Sequence, residues 1–152
     1  MKAAFFYQTE IGKIVIMENG TAITNLYFGD RTDSEEAAIQ ETALLKEAGK
    51  QLQDYLAGKR KSFTLPLAPE GTEFQKQVWQ ALQEIPYAET RSYGEVAQSI
   101  GRPKASRAVG LANSKNPIWI FIPCHRVIGA NGKLTGYAGG LDAKEHLLNL
   151  EK

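Results

Sequence analysis

The stretch SYGEVAQSIGRPKASRAVGLANS, residues 92–114, contains two short helical patterns that a glycine and a proline separate. Residues 93–100 form the first helix, which ends at Gly101, and Pro103 can begin the second at its first turn. Two short helices joined in this way are typical of a helix-turn-helix, although most short helix pairs bind nothing. The sequence therefore predicts a helix pair for which DNA is the candidate ligand.

Basic residues are concentrated around this helix pair. The net charge of the 152-residue chain is only +1, but Glu95 is the one acidic residue between positions 91 and 126. The basic residues of the same segment are Arg91, Arg102, Lys104, Arg107, Lys115 and Arg126. Such a cluster fits a DNA-binding surface, and from charge alone it fits a solvated face equally well.

An apolar run follows the helix pair. IWIFI, residues 118–122, predicts a buried strand that Pro123 ends, so that Cys124 falls just beyond the strand. Two glycine-rich turns come next, GANGK and GYAGG, and residues 141–150 predict a closing amphipathic helix. The cysteine is thus expected between a rigid element and flexible loops.

Cys124 is the only cysteine of the chain. A free cysteine is more often a small buried hydrophobe than a catalyst. Here, however, His125 and Arg126 follow it directly, and both can stabilise a thiolate, the form in which cysteine reacts as a nucleophile. We therefore predict that Cys124 is a reactive nucleophile with His125 as the candidate base, the alternative for His125 being a buried core histidine.

The adjacency of Cys124 and His125 constrains how they could cooperate. In an extended segment successive side chains point to opposite faces, so the two would not touch. Either the chain turns sharply at this point or a water molecule relays the proton. A third group must orient the histidine, and spacing does not choose among the downstream carboxylates Asp142, Glu145 and Glu151.

The first part of the chain has a different pattern. β-branched and aromatic residues recur around Gly12 and the Asn19-Gly20 turn signal, which predicts an antiparallel meander. Strands are expected at residues 3–8, 13–17 and 21–28, a helix at 41–57, a linker at 59–71, and a further helix that begins after Thr72 and ends before Pro86. The predicted domains are residues 1–65, with the sheet and helix, and residues 66–152, which are mostly helical.

Bulk composition excludes several classes of protein. With 43% hydrophobic and 23% charged residues, the chain is close to the globular average, which argues against disorder and collagen-like repeats. No apolar stretch approaches a bilayer span or a secretory signal, so we expect a cytoplasmic protein, associated with the nucleoid if it is bacterial. One cysteine and two histidines resemble no structural zinc site, and no metal is expected.

The string IPCHRVIG, residues 122–129, resembles the active-site signature of the O6-alkylguanine-DNA alkyltransferases, also called methylated-DNA protein-cysteine methyltransferases. Other segments match the family in order and spacing, namely SYGEVA (92–97), GRPKASRAVG (101–110), NP (116–117), GYAGG (136–140) and KEHLLNLE (144–151). The resemblance is specific over residues 71–151 and weaker before them. It implies an α+β fold with a small N-terminal antiparallel sheet and helix, ribonuclease H-like, and a mostly helical C-terminal domain with a helix-turn-helix.

The resemblance also implies a reaction. Cys124 would attack the alkyl carbon on O6 of a flipped guanine in double-stranded DNA and keep the alkyl group as a thioether, once per molecule and without a cofactor. O4-alkylthymine is the less favoured substrate. In the family pattern His125 is the base acting through a water, Glu151 orients His125, Asn116 braces the active-site turn and Tyr93 donates to the leaving guanine. The protein is expected to act as a monomer, with no obligate protein partner and no membrane.

Further positions match residues that contact DNA or substrate in this family. The second helix of the pair is expected to enter the minor groove, where Arg107 fills the gap left by the flipped base. The expected DNA-binding residues are Arg102, Lys104, Ala105, Ser106 and Arg107. The expected pocket for the alkylated base comprises Tyr137, Ala138, Gly139 and Trp119, and Trp119 departs from many relatives, which carry proline or a small residue there.

Two other functions are compatible with parts of this pattern. A non-catalytic relative that binds alkylated DNA would have nearly the same sequence, but in such relatives the cysteine of PCHR is replaced. A cysteine hydrolase could use a cysteine, a histidine and a carboxylate. In cysteine proteases, however, the cysteine and histidine are distant in sequence, and a basic helix pair has no role in peptide cleavage. The motifs favour the alkyltransferase over both alternatives.

Overall fold

The chain divides into two units, residues 1–70 and 71–152. The computed structural model describes residues 2–28, 38–129 and 141–152. Within these ranges, no helix is both long and apolar enough to cross a lipid bilayer.

A four-stranded sheet lies in the first unit, with strand order β3-β2-β1-β4. Its strands are β1 (Ala3–Thr9), β2 (Gly12–Glu18), β3 (Ile23–Phe28) and β4 (Ala38–Ile39). The first three form the predicted antiparallel meander, in which Phe5 lies opposite Ile16 and Ile16 opposite Leu26. Strand β4 pairs parallel with β1, so the sheet is mixed rather than purely antiparallel. A two-residue strand is too short to leave a periodic signal in the sequence.

Two tight turns connect the strands of the meander. Gly12 has a φ of +108° and Gly20 a φ of +100°, backbone conformations that favour glycine. The Asn19 side chain accepts hydrogen bonds from the backbone N–H groups of Thr21 and Ala22, each at 3.0 Å. This side-chain-to-backbone bonding fixes the β2–β3 turn that the Asn-Gly pair predicts.

Helix α1 (Ala43–Leu56) packs against β1 and β2 and confirms the helix predicted at residues 41–57. It begins where the Thr42 hydroxyl accepts a hydrogen bond from Leu45 N at 3.2 Å. Gly49 allows a close approach to the sheet, since a Cβ there would lie 2.6 Å from the Tyr7 ring. Beyond the helix, Ile23 N donates to Pro66 O, so the chain near residue 66 lies with the first unit.

The second unit contains helices α2 (Glu73–Gln83), α3 (Tyr93–Ser99), α4 (Ser106–Ser114) and α5 (Leu141–Leu150), and the short parallel strands β5 (Arg91–Ser92) and β6 (Val127–Ile128). Helices α2, α3 and α4 pack on one another. The buried apolar residues of these three helices are Val78, Trp79, Leu82, Val96, Ala97, Val109 and Ala112. The Trp79 indole also donates to Ala112 O at 2.9 Å, which ties the end of α4 to α2.

Capping boxes determine where α2 and α3 begin. In α2 the Thr72 hydroxyl accepts from Gln75 N, and the Gln75 side chain accepts from Thr72 N. Ser92 and Glu95 form the same reciprocal pair at the start of α3, and these hydrogen bonds lower the pKa of the Glu95 carboxyl. The helices predicted from Thr72 and over residues 93–100 are both confirmed.

Two details of the predicted helix pair and strand are wrong. The second helix of the pair begins at Ser106 rather than at Pro103, because Ala105 N bonds to Arg102 O and closes a turn first. Residues 118–122 are buried, as expected, but form a turn instead of a strand: Phe121 N donates to Trp119 O and Ile122 N to Ile118 O. A short apolar run indicates burial without specifying the backbone conformation.

Candidate active site

The turn that precedes Cys124 is held by the side chain of Asn116. Asn116 Oδ1 accepts from Ile118 N at 3.0 Å, and Nδ2 donates to Ile122 O at 2.9 Å. Cys124 N donates to the same Ile122 oxygen at 2.8 Å, so Asn116 and the backbone of the cysteine share one acceptor. Ile120 within this turn has a φ of +73°, which is rare for a β-branched residue and indicates a strained backbone.

Cys124 begins a single turn of 3₁₀ helix, Cys124–Arg126. The chain therefore turns sharply at the cysteine, which is one of the two alternatives that the sequence left open. Cys124 is 1% exposed and His125 is fully buried. Because the segment is helical rather than extended, the two neighbouring side chains no longer point to opposite faces of a strand.

His125 is hydrogen-bonded to the carboxylate of Glu151, the residue that follows helix α5. Its Nε2 lies 2.8 Å from Glu151 Oε2, and both side chains are buried. A carboxylate only accepts, so Nε2 carries the hydrogen and Nδ1 is the ring nitrogen able to accept a proton. Of the three carboxylates that spacing left open, Glu151 makes this contact, whereas Asp142 and Glu145 are exposed.

The protonation state of His125 follows from its surroundings. Burial lowers the pKa of His125 below its ordinary value, and the Glu151 hydrogen bond and charge offset this only in part. The imidazole is therefore neutral at physiological pH. A neutral ring with Nε2–H directed at a carboxylate has the tautomer that a general base requires.

Arg126 has a different position from the one its sequence neighbourhood suggested. Its Nε and Nη2 donate to the two Glu151 oxygens at 2.9 and 2.8 Å, and Nη1 donates to Ile85 O at 2.8 Å. The guanidinium is thus engaged with Glu151 and the backbone after α2, instead of being a surface cation of the basic cluster. Together with Ala88 N, at 3.3 Å from Glu151 Oε1, it fixes the carboxylate that faces His125.

Lys144 of α5 is a buried cation that sequence reasoning missed. It is fully buried, and its Nζ donates to Val127 O at 2.6 Å. Burial lowers the pKa of Lys144, and the attraction of the Cys124 thiolate opposes that shift. A signal was present, since Lys144, Leu147 and Glu151 recur at helical spacing and so share one face of α5. That face places a cation and the histidine's carboxylate beside the 3₁₀ turn.

Both halves of the chain match family models at these residues. Residues 73–152 match the DNA-binding domain of 6-O-methylguanine DNA methyltransferase, and residues 4–69 match its ribonuclease-like domain. The chain belongs to the 6-O-methylguanine DNA methyltransferase family. The family and the α+β fold expected from the sequence are confirmed.

Relatives of this methyltransferase family are similar over nearly the whole chain. A methylated-DNA–protein-cysteine methyltransferase of Methanosarcina acetivorans is 57% identical over 95% of this chain and 95% of the relative. The constitutive methylated-DNA–protein-cysteine methyltransferase of Bacillus subtilis is 50% identical over 95% of this chain and 92% of the relative. The crystal structure of Mycobacterium tuberculosis OGT in complex with DNA superposes with a TM-score of 0.93 at 47% identity, covering 99% of this chain and 92% of that one.

The residues expected to contact DNA lie on the turn before α4 and on its first turn. Arg102, Lys104, Ser106 and Arg107 are exposed, and Ala105 is half-buried. The Arg102 guanidinium also lies over the Phe74 ring, 5.8 Å from its centre. The methyltransferase thus presents exposed cations on the helix pair of its DNA-binding domain.

The remaining predicted site residues differ in what the structure shows of them. Tyr93 is the first residue of α3, half-buried, and its ring lies against Gly110 of α4. Trp119 is buried in the turn before Cys124, where its indole donates to Asn116 O at 2.8 Å. Tyr137, Ala138 and Gly139 lie outside the described residues, so the predicted pocket stays a prediction.

Proposed function

We propose that this protein repairs double-stranded DNA by moving the alkyl group from O6 of guanine to Cys124, once per molecule. Repair of DNA by alkyl transfer to a cysteine follows from its family. The observation that carries the finer proposal is the buried Cys124–His125–Glu151 arrangement, in which the 2.8 Å bond fixes the tautomer of His125 and burial keeps its ring neutral. No step of the proposed reaction requires a cofactor.

The thiolate forms when the Cys124 proton passes to His125. Nδ1 is the accepting nitrogen, reached through a water molecule in our proposal, while Glu151 holds the ring through Nε2. The buried ammonium of Lys144 favours the thiolate, since attraction between the two charges acts in both directions. Lys144 thereby offsets part of the cost of forming an anion in a buried site.

The thiolate then attacks the alkyl carbon. A sulfur–carbon bond forms, the bond from that carbon to O6 breaks, and the electron pair leaves with guanine. The developing negative charge on the base needs a donor, and we assign this role to the Tyr93 hydroxyl at the start of α3. The product is a thioether, which has no easy leaving group at neutral pH, so each molecule acts once.

DNA binding is proposed to use α4 in the minor groove. Small residues, Ala105, Ser106, Ala108 and Gly110, surround Arg107 and allow a close approach to the duplex. The Arg107 side chain is exposed and would enter the base stack in place of the flipped base. Its insertion would offset part of the few kcal/mol that base flipping costs. Arg102 and Lys104 would contact phosphates.

A stoichiometric transfer assay tests this proposal. Duplex DNA carrying isotopically labelled O6-methylguanine, in excess over the protein, should lose one methyl group per protein molecule and then react no further. O4-methylthymine in the same duplex should react more slowly. Turnover beyond one equivalent would contradict the single-use acceptor, and DNA binding without any transfer would instead support a non-catalytic binding protein.

A further inference from the structure

The turn over residues 86–89, which follows helix α2, contains an unusual backbone conformation. Glu89 N donates to Pro86 O at 3.1 Å and closes this 86–89 turn. Its third residue, Ala88, has a φ of +68° and is one of two non-glycine residues with positive φ among those that the structure describes. A positive φ at the third residue is typical of type II turns, which favour glycine there. Ala88 is exposed, so the packing of its side chain does not explain the conformation.

The 86–89 turn contacts the carboxylate of the active site and the groups around it. Ala88 N donates to Glu151 Oε1 at 3.3 Å, and the Tyr87 hydroxyl donates to Leu150 O at 3.4 Å. The guanidinium of Arg126, which binds the same carboxylate, lies 5.8 Å from the centre of the Tyr87 ring. Backbone conformations of higher energy persist where the surrounding structure holds them, and they are frequent at active sites.

The type of turn decides where the Ala88 N–H points. Type I and type II turns differ by about 150° in the ψ of their second residue, which rotates the central peptide group. In the 86–89 turn that group joins Tyr87 to Ala88. In a type I turn, with a negative φ at Ala88, the N–H would point away from Glu151 and the Tyr87 carbonyl oxygen would turn toward the carboxylate. An acceptor would then replace a donor beside an anion, which is unfavourable.

We propose that Ala88 is a positioning residue for the base, because its left-handed backbone directs an N–H at Glu151 Oε1 and so holds Oε2 against His125. Oε1 accepts from Ala88 N and from Arg126 Nε, while Oε2 lies 2.8 Å from His125 Nε2. The Ala88 N–H also compensates part of the Glu151 charge. This inference rests on the proposed role of His125 as the base that takes the Cys124 proton.

The compensation of charge has a consequence for the base. A carboxylate that has lost a donor attracts a proton onto the neighbouring imidazole more strongly and so raises the pKa of His125. An imidazolium cannot accept the Cys124 proton. The other charged side chains that act on His125, namely Arg126 and Lys144, are not altered by a change at Ala88.

Substitutions at Ala88 that differ in their tolerance of a positive φ test this role. Valine is β-branched and opposes a positive φ, whereas glycine adopts it readily. Ala88→Val should raise the pKa of His125, and it should slow alkyl transfer at pH 7 by about 3- to 10-fold, because Glu151 loses a donor. Ala88→Gly keeps the turn and should change neither quantity.

Nitrogen NMR of the histidine rings measures the pKa of His125 in the full chain without DNA. The chain has one other histidine, His146, and His146→Gln identifies its signal. Ala81→Val makes the same chemical change at a half-buried position of α2 and controls for a general loss of stability, which urea unfolding measures. This control should leave the pKa of His125 unchanged. Ala88→Leu, which opposes a positive φ without β-branching, covers the case in which Ala88→Val does not fold.

The outcomes separate a positioning role from a structural one. A less stable Ala88→Val protein with an unchanged His125 pKa would overturn the inference, as would equal changes in Ala88→Val and Ala88→Gly. The titration requires no alkyl transfer. An unmodified protein that transfers no methyl group would therefore contradict the proposed function separately from the role of Ala88.

Discussion

Replacing Glu151 with leucine should destabilise the second unit strongly, and a second substitution, Arg126→Met, should recover much of that loss. The Glu151 carboxylate accepts from His125 Nε2 and from Nε and Nη2 of Arg126. In Glu151→Leu, the guanidinium of Arg126, a residue that is only 7% exposed, faces an apolar side chain. Breaking one side of a buried ion pair costs about 3–5 kcal/mol, a large part of the 5–15 kcal/mol typical of a folded domain.

The double variant removes the unpaired charge as well. Replacing a whole buried ion pair with apolar side chains is often close to neutral. Three groups still lose a partner in the double variant: Ile85 O, Ala88 N and the buried Nε2 of His125. At about 1 kcal/mol for each lost hydrogen bond, the double variant should lie about 3 kcal/mol below the unmodified protein. Glu151→Leu alone loses two of these bonds and also leaves the guanidinium unpaired, so it should be less stable still.

Urea unfolding followed by tryptophan fluorescence measures this difference. Both tryptophans, Trp79 and Trp119, are buried in the second unit and so report on the part of the chain that contains Glu151. Alkyl transfer should stay slow in the double variant, because His125 still lacks its carboxylate. A double variant as unstable as Glu151→Leu, or one with restored transfer, would refute the reasoning.

Three further changes test the electrostatics and the DNA contact. Because burial lowers the pKa of His125, the unfolded chain binds a proton at a pH where the folded chain does not. The free energy of unfolding should therefore be unaffected by this group above about pH 6.5 and should fall as the pH drops below it. Urea unfolding at several pH values measures this slope, which His125→Gln should remove. Lys144→Met should slow alkyl transfer at pH 7, and the difference in rate from the unmodified protein should shrink as the pH rises past about 8.5, where thiols ionise without a nearby cation. A difference in rate that does not depend on pH would contradict the role of Lys144 beside the thiolate. Arg107→Ala should weaken repair of duplex DNA more than reaction with free O6-methylguanine base, and equal losses would argue against its role in flipping.

Much of the fold could be predicted because local sequence signals and tertiary packing agree. Local side chains specify the backbone conformation at the β2–β3 turn and at the starts of α2 and α3. Asn19, Thr72 and Ser92 each bond to backbone N–H groups a few residues later, and Gly20 has no side chain to oppose a positive φ. Strand β4 could not be predicted, since its two residues depend on pairing with β1, which is distant in sequence. The start of α4 was misplaced because Pro103 is compatible with both a helix start and a turn.

The candidate site was predictable in its residues but not in its contacts. Cys124, His125 and Glu151 are all evident in the sequence, yet spacing alone did not choose Glu151 over two other carboxylates. The Ile120 backbone conformation, which allows the turn before Cys124, has no sequence signal because β-branched residues rarely adopt it. The partners of Arg126 and Lys144 depend on burial, and charged residues read from sequence are expected at the surface.

Mass spectrometry of the peptide that carries Cys124 tests the central claim most directly. The protein is incubated with duplex DNA containing O6-methylguanine and digested, and the modified residue is located by fragmentation. The structure and the family predict one added methylene on Cys124 in every reacted molecule, with unmodified guanine restored in the DNA. A Cys124 peptide of unchanged mass after the DNA has been repaired, or a methyl group on another residue, would contradict the claim.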